Sequence, residues 1–316
     1  MFNKLRSDQK VVSVLMYHGL ETDPIRLACN SLDITPESCL NEIRFYREQG
    51  YRLVSADELD HLNDRTDGCP AYLIVSFDDG HLNTYKYIRR CLLEEEIPIM
   101  LAVCPEIVEH NEVYWWEEVR ARFELMEANS IEVEIDGSSM CFSRQEVYRF
   151  EEKCREVPHN SLLSLFGQLR CKTDYLPEDQ IRASKYVHEN MNWEQICTLA
   201  QNHLCILASH SLAHEIATNV PEQELRRNAQ RSRQMIREKT GCDTQHYAYP
   251  NGIYSEKTDS ILLQCGFSHT YSTVGATNLV GGIDIRLNRF HGFGYRSDNV
   301  GQFAHMWNQR HASLSR

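Results

Sequence analysis

The chain has 316 residues, a formal net charge of −12 and a pI near 5.6, with 42% hydrophobic and 25% charged residues. We do not expect such an acidic chain to be a general nucleic-acid or anionic-membrane binder, because such proteins carry a basic patch. Its length allows one large α/β domain or two modest ones, and its composition provides enough apolar residues for a core.

The sequence gives no indication of export or of a membrane span. Residues 1–10 lack the apolar core of a signal peptide, and no later segment is apolar for long enough to cross a bilayer. The 12 cysteines are scattered singly without a CxxC pair, so we expect reduced thiols and no zinc-thiolate site. These features predict a cytoplasmic protein.

Predicted strands and helices alternate along the first third of the chain. They are a strand over 11–17, helices over 36–49 and 55–63, a strand over 71–75, a helix over 84–96 and a strand over 99–104. The last three elements form a βαβ unit, which implies a parallel pair of strands. Between the strand over 71–75 and the helix over 84–96 lies the segment Ser76-Phe77-Asp78-Asp79-Gly80. This places two adjacent carboxylates at the carboxyl edge of the sheet, where α/β enzymes carry their chemistry.

Residues from about 113 to 193 depart from this alternation. Helices are predicted over 117–128 and 145–156, and the strictly alternating segment 131–135 with its Asp136-Gly137 turn predicts a hairpin. Because no linker composition marks its borders, we interpret 113–193 as a mainly helical insertion that walls the site, within a single domain over 1–316. Trp115 and Trp116 are either a sugar-stacking platform or, more simply, part of the insertion's core.

The alternation resumes after the insertion. We predict a helix over 193–201, a strand over 204–208, a helix over 221–240, a strand over 245–249, a helix over 255–265 and a strand over 268–272. His210 and His214 follow the strand over 204–208, and a helical turn there would put both imidazoles on one face. Together with Asp79 they offer two imidazoles and a carboxylate, which suit zinc or a similar divalent cation and leave a position for water.

Three segments resemble the motifs of the polysaccharide deacetylase family, also called the NodB-homology family or carbohydrate esterase family 4. Residues 76–80 resemble its Thr-Phe-Asp-Asp-Gly motif, and residues 209–214 resemble its His-Ser/Thr-x-x-His motif. Residues 249–252, Tyr-Pro-Asn-Gly, resemble a third motif in its Tyr-Pro-Tyr-Gly variant. A weaker similarity extends from about residue 14 to about residue 290, interrupted by the insertion.

The resemblance implies a distorted (β/α)7 TIM-like barrel that hydrolyses N-acyl sugars with the help of a metal. Carried over by position, Asp78 is the general base. Asp79, His210 and His214 are then the ligands of Zn²⁺ or of another divalent metal such as Co²⁺, Ni²⁺ or Mn²⁺. The backbone N–H of Asn251 would hold the developing oxyanion, and Tyr249 would stand beside it at the substrate.

The chain departs from the family pattern at three places. Ala248 occupies the position of an arginine that orients the base, so another group must orient Asp78. Asn251 replaces an aromatic residue in a subsite wall. The Leu-x-His motif that supplies the general acid has no clean match. His291 and His18 compete for that role, because the first and last strands of a closed barrel are neighbours; His81 and His246 are secondary candidates.

The favoured function is removal of an N-acyl group, chiefly acetyl, from an amino sugar in glycan or glycoconjugate biosynthesis. The expected substrate is an N-acylated amino sugar, a sugar nucleotide or a lipid-linked saccharide. A deformylase or other amidase acting on a small non-polymeric substrate is the second interpretation. A non-catalytic carbohydrate-binding protein with a structural metal is the third, and retention of both aspartates and both histidines disfavours it.

Overall fold

The computed structural model describes residues 9–282, 285–294 and 300–311. Residues 1–8, which contribute to the prediction that no export signal is present, lie outside the described residues. In the described part of the chain, every helix is too short or too polar to cross a bilayer.

The strands are short and are separated mostly by helices. They are β1 Val11–Tyr17, β2 Arg52–Leu53, β3 Ala71–Phe77, β4 Ile99–Val103, β5 Ser130–Ile135, β6 Ser138–Ser143, β7 Cys205–Ser209, β8 His246–Ala248, β9 His269–Tyr271, β10 Asn278–Leu279, β11 Arg286–Leu287 and β12 Phe290–His291. The helices are α1 Pro24–Cys29, α2 Pro36–Glu48, α3 Leu82–Tyr87, α4 Pro105–His110, α5 Trp115–Leu125, α6 Val147–Glu156, α7 His159–Lys172, α8 Glu178–Arg182, α9 Trp193–Ala200, α10 Glu222–Thr240, α11 Glu256–Gln264 and α12 Val300–His311.

The large sheet is a distorted, nearly closed barrel. Its strand order is β10-β1-β3-β4-β7-β8-β9-β11, with β12 paired to β1 and β2 paired to β3. All of these pairs are parallel except β1 with β10. The chain passes from β11 at one end of this order to β12 beside β1, so the two edges come together. The predicted fold class is confirmed.

The burial of β1 and β3 explains why both read as continuous apolar runs. All seven residues of each strand are buried, as expected for parallel strands covered on both faces. Alternate residues of each strand pack against the surrounding helices. The residues between them belong to a second cluster, to which strands around the whole barrel contribute. That second cluster, which includes Val14, Ile74, Ala208 and Leu287, fills the barrel interior.

The segment between β4 and β7 carries a hydrophobic cluster of its own. Residues of α5, α6, α7 and the β5–β6 hairpin bury Phe123, Phe142 and Phe150 against one another. The predicted hairpin is confirmed: Asp136 and Gly137 form its two-residue turn, and both have positive φ, of 50° and 78°. The division into one domain with an insertion over 113–193 stays a prediction.

Candidate active site

A cavity of about 330 Å³ opens at the carboxyl ends of the barrel strands. Its lining includes the eight principal site residues predicted from the sequence: His18, Asp78, Asp79, His210, His214, Tyr249, Asn251 and His291. The wall contributed by the segment between β4 and β7 includes Trp116, Arg120, Arg155 and His188. Chemistry-bearing residues from distant parts of the sequence therefore share one pocket.

Asp79, His210 and His214 come together at the floor of this cavity. Oδ1 of Asp79 lies 3.3 Å from Nε2 of His210 and 3.6 Å from Nε2 of His214. All three side chains are buried, and one ligand atom from each lies within 4.8 Å of the other two. The structure thus brings the three predicted metal ligands together.

The state of these side chains fits a divalent cation. Oδ1 of Asp79 is buried, and no described residue donates a well-formed hydrogen bond to it, a costly situation for an ion unless a cation compensates. Nδ1 of His210 lies 2.8 Å from the carbonyl oxygen of Ala248, which leaves Nε2 facing Asp79, as in many metal-bound histidines. Burial and the neighbouring His210 lower the pKa of His214 to about 3, so this imidazole is neutral, as a ligand must be. Burial also acts to lower the pKa of His210, but Asp78 and Asp79 outweigh it and raise that pKa, so a cation would take the place of a proton on this ring.

The loop that carries the two histidines is a turn, so the predicted helical face at 210–214 is wrong. Ser211 and His214 have φ values of 65° and 61°, in the left-handed region, which breaks any helix at once. Oε2 of Glu215 accepts hydrogen bonds from two backbone N–H groups of this turn, at 3.1 and 3.0 Å. The imidazoles therefore meet because the turn folds back, and not because they are one helical turn apart.

Asp78 is held by an arginine that the sequence motifs do not contain. Nη1 of Arg289 donates to Oδ1 of Asp78 at 2.7 Å, and Nη2 donates to Oδ2 at 2.8 Å. Burial by itself would raise the pKa of Asp78, but Arg289, followed by His210, holds that pKa below its ordinary value. Arg289 therefore supplies the orienting group that is missing at Ala248.

Both candidates for the general acid border the cavity. His18 directly follows β1 and His291 is the last residue of β12, and the parallel register pairs Met16 with His291. Their rings are nearly parallel, with centroids 6.2 Å apart. Burial lowers the pKa of His18, with partial opposition from Asp79 and Asp78, which makes it a poor proton donor near neutral pH.

Of the two secondary candidates for the general acid, His81 and His246, only one lines the cavity. His81 lines the cavity, with Nε2 3.4 Å from Oδ2 of Asp79. His246 does not line it: its ring lies 2.8 Å from both Asp57 and the hydroxyl of Tyr271.

Asn251 and Tyr249 differ in what they offer to a substrate. Asn251 has a φ of 54° in the turn Pro250–Gly252, and no described residue accepts a hydrogen bond from its backbone N–H. Tyr249 contributes to the cavity wall, but its hydroxyl donates to Oδ1 of Asp259 at 2.8 Å and lies 3.2 Å from Thr258. Because this hydroxyl is held by α11, a substrate contact through it is not available.

The two adjacent tryptophans have different surroundings. The Trp116 ring lines the cavity, with its centroid 4.2 Å from that of His214. Trp115 packs on the hydrophobic cluster of α5, α6 and α7, as the simpler interpretation holds. Sugar stacking on Trp116 stays a prediction.

A second group of buried titratable side chains lies beside Asp79, His210 and His214. Nδ1 of His188 lies 2.6 Å from Oε1 of Glu117, and its Nε2 lies 2.8 Å from Oδ2 of Asp33. Burial lowers the pKa of His188, but the two carboxylates outweigh burial and raise it to about 10. Apart from His81, these residues could not be predicted from the sequence, because nothing in the local pattern joins residues 33, 117 and 188.

Comparison with known proteins agrees with the geometry. A family model described as polysaccharide deacetylase matches residues 173–270, which contain the His210–His214 turn and the Tyr249–Gly252 motif. The resemblance to polysaccharide deacetylases is confirmed. The first motif, with Asp78 and Asp79, lies outside the matched segment. Comparison with curated protein sequences gives no significant match.

Solved structures share the fold at low sequence identity. IcaB from Ammonifex degensii is 18% identical with a TM-score of 0.58, over 97% of this chain and 98% of that one. The Streptococcus pyogenes deacetylase PplD, solved with acetate, is 14% identical with a TM-score of 0.59, over 89% and 92%. A de-N-acetylase from Aggregatibacter actinomycetemcomitans is 13% identical with a TM-score of 0.53, over 93% and 100%. At these identities the likeness establishes the fold alone.

Proposed function

We propose that the protein is a metal-dependent hydrolase that removes an N-acyl group, chiefly acetyl, from an amino sugar. One observation carries this proposal: the Asp79, His210 and His214 ligand atoms converge beside an arginine-held Asp78 in one cavity. The family match over residues 173–270 supports carbohydrate deacetylation as the activity.

The donor set of two imidazoles and one carboxylate suits Zn²⁺, and Co²⁺, Ni²⁺ or Mn²⁺ could take its place. A cation held there would lower the pKa of a water molecule and polarise the amide carbonyl. Asp79, His210 and His214 would hold this cation, and the carbonyl oxygen of Ala248 fixes the ring of His210.

Asp78 is suited to act as the general base. Arg289 and His210 keep it ionised despite burial, so it can accept a proton at neutral pH. The two bonds from Arg289 fix the carboxylate, yet each oxygen retains a second lone pair that can receive the proton from water. Arg289 therefore positions the base without blocking it.

Two further groups at the cavity are placed to stabilise the oxyanion and to protonate the leaving amine. The backbone N–H of Asn251 is available to donate to the oxygen that becomes negative during attack. We assign protonation of the departing amine to His291 rather than to His18, because burial lowers the pKa of His18 and makes it a poorer proton donor.

The dimensions of the cavity favour a small substrate. A volume of about 330 Å³ accommodates roughly one sugar ring with its acyl group, at the lower end of ligand pockets. The wall that includes Trp116 and Arg155 closes one side, which supports a sugar nucleotide, a lipid-linked saccharide or another N-acylated intermediate.

The direct test is a release assay for acetate and formate against acylated monosaccharides and sugar nucleotides. We expect acetate release that a chelator abolishes and added Zn²⁺ restores, with Asp78→Asn as the inactive control. Release of formate alone would replace the deacetylase with the deformylase interpretation. Failure of the metal-loaded protein to hydrolyse any N-acyl sugar in the panel would contradict the proposal.

A further inference from the structure

The group formed by His81, Glu117 and His188 has the composition of a second metal site. One ligand atom from each of these three residues lies within 4.8 Å of the other two, and all three side chains are buried. Nε2 of His81 lies 3.9 Å from Oε1 of Glu117, which itself lies 2.6 Å from Nδ1 of His188. Two imidazoles and one carboxylate thus repeat the donor set found at Asp79.

The orientation of His188 is that of a metal-bound histidine. Its Nε2 lies 2.8 Å from Oδ2 of Asp33, whose side chain is only 3% exposed. A carboxylate on one ring nitrogen fixes the tautomer and directs the other nitrogen toward the metal. Here Nδ1 is the other nitrogen, and it faces Glu117.

Two buried atoms of the group lack a hydrogen-bond partner. Oε2 of Glu117 and Nδ1 of His81 are enclosed, and no described residue bonds to either. A buried, half-satisfied carboxylate is unfavourable unless a cation or water completes it. Glu117 therefore has coordination capacity that its contact with His188 does not use.

Asp79 joins the two groups. Its Oδ1 faces His210 and His214, at 3.3 and 3.6 Å, whereas its Oδ2 lies 3.4 Å from Nε2 of His81. A carboxylate that turns one oxygen to each of two donor sets has the arrangement of a bridging ligand. Hydrolases with two metals hold them about 3.5–4 Å apart by such bridges.

We propose that His81, Glu117 and His188 bind a second divalent cation and that Asp79 bridges it to the first. The proposal deepens the proposed function and rests on its first site, because Asp79 serves both. The alternative occupant is a proton on His188, which would sit between Asp33 and Glu117 as an imidazolium. If a cation occupies this group, one chain binds two metal ions; if a proton occupies it, one chain binds one.

The test is metal stoichiometry after equilibrium dialysis against Mn²⁺ or Zn²⁺, measured by elemental analysis. We expect two ions per chain in the wild-type protein, one in Glu117→Gln and one in His210→Ala. Glu124→Gln is the matched control: it lies on the same helix, pairs with Lys185 and Ser184 outside the cavity, and should still bind two. Circular dichroism verifies that each variant is folded.

Electron paramagnetic resonance of the Mn²⁺-loaded wild-type protein gives an independent measurement that needs no variant. Two ions bridged by Asp79 would show an exchange-coupled spectrum. One ion per chain with the spectrum of isolated Mn²⁺ would overturn the second site and leave the proposed hydrolase intact. Two ions in Glu117→Gln would overturn the assignment to this group, and no bound metal at all would defeat both the second site and the metal requirement of the proposed function.

Discussion

Arg289 holds both carboxylate oxygens of Asp78, at 2.7 and 2.8 Å, and its own side chain is completely buried. The pair joins the end of β3 to the segment between β11 and β12, 211 residues further along the chain. A buried ion pair of this kind adds little net stability, but loss of one partner leaves an uncompensated charge. Arg289 thus holds down the pKa of Asp78 and links the end of β3 to the last strands of the barrel.

Replacement of Arg289 by methionine should shift the acidic limb of the activity profile to higher pH. Without the guanidinium, burial dominates and raises the pKa of Asp78, so the base becomes protonated at pH values where it was ionised. We expect a shift of about one to three pH units in the acidic limb of kcat/KM, and a fall in the free energy of unfolding of about 3–5 kcal/mol. Rate profiles and urea unfolding measure the two effects.

Arg286→Met is the matched control for this prediction. Arg286 lies on β11, next to β12 in the chain, and pairs with Asp259 outside the cavity. Its loss should leave the acidic limb where it is. An unchanged limb in a folded Arg289→Met protein would show that Arg289 does not set the protonation of the base.

The parts of the fold that follow from local pattern could be predicted from the sequence. β1 and β3 are runs of buried apolar residues, and the short helix predicted from residue 55 begins with a capping box formed by Ser55 and Glu58. The period of two along a strand also directs Asp78 and His210 into the barrel mouth, in line with the interior residues Ile74 and Ala208.

The parts that depend on turns and distant pairings could not be predicted. Arg289 lies two residues after the interior residue Leu287, so the alternation of a strand places it on the same inward face. This relationship can be recognised only when the two short strands β11 and β12 are known. The contact between Asp33 and His188 spans 155 residues and leaves no local trace. The left-handed residues at 211 and 214 are not glycines, so their turn looks like a helix start in the sequence.

Substitution of the base and substitution of a ligand should have different effects on metal binding. Asp78→Asn removes the proton acceptor but none of the three ligands, so we expect turnover to vanish with the first cation retained. His210→Ala removes a ligand atom 3.3 Å from Asp79, so the first cation and turnover should both be lost. Kinetics and elemental analysis on the same samples distinguish the two results. Full activity of Asp78→Asn would refute its role as the base.

The general acid can be identified by comparing an amide with an aryl ester. Loss of the acid should lower kcat for the amine leaving group by about 10²–10⁴-fold but spare an aryl acetate, whose phenolate leaves without a proton. We expect this split in His291→Asn and a smaller, unselective loss in His18→Asn, because burial lowers the pKa of His18. The opposite pattern would assign the acid to His18.

His188 should make the stability of the metal-free protein depend on pH. Its pKa is raised from 6.5 to about 10 by Glu117 and Asp33 against the effect of burial, so the folded protein retains a proton that the unfolded chain releases. The stabilisation is fully present below pH 6.5 and is lost as the pH rises toward 10. With chelator present, wild type and His188→Asn should differ by roughly 3–5 kcal/mol in unfolding free energy at pH 6 and by little at pH 10. His203→Asn, an exposed site, is the control, and a gap that stays constant with pH would exclude the imidazolium between the two carboxylates.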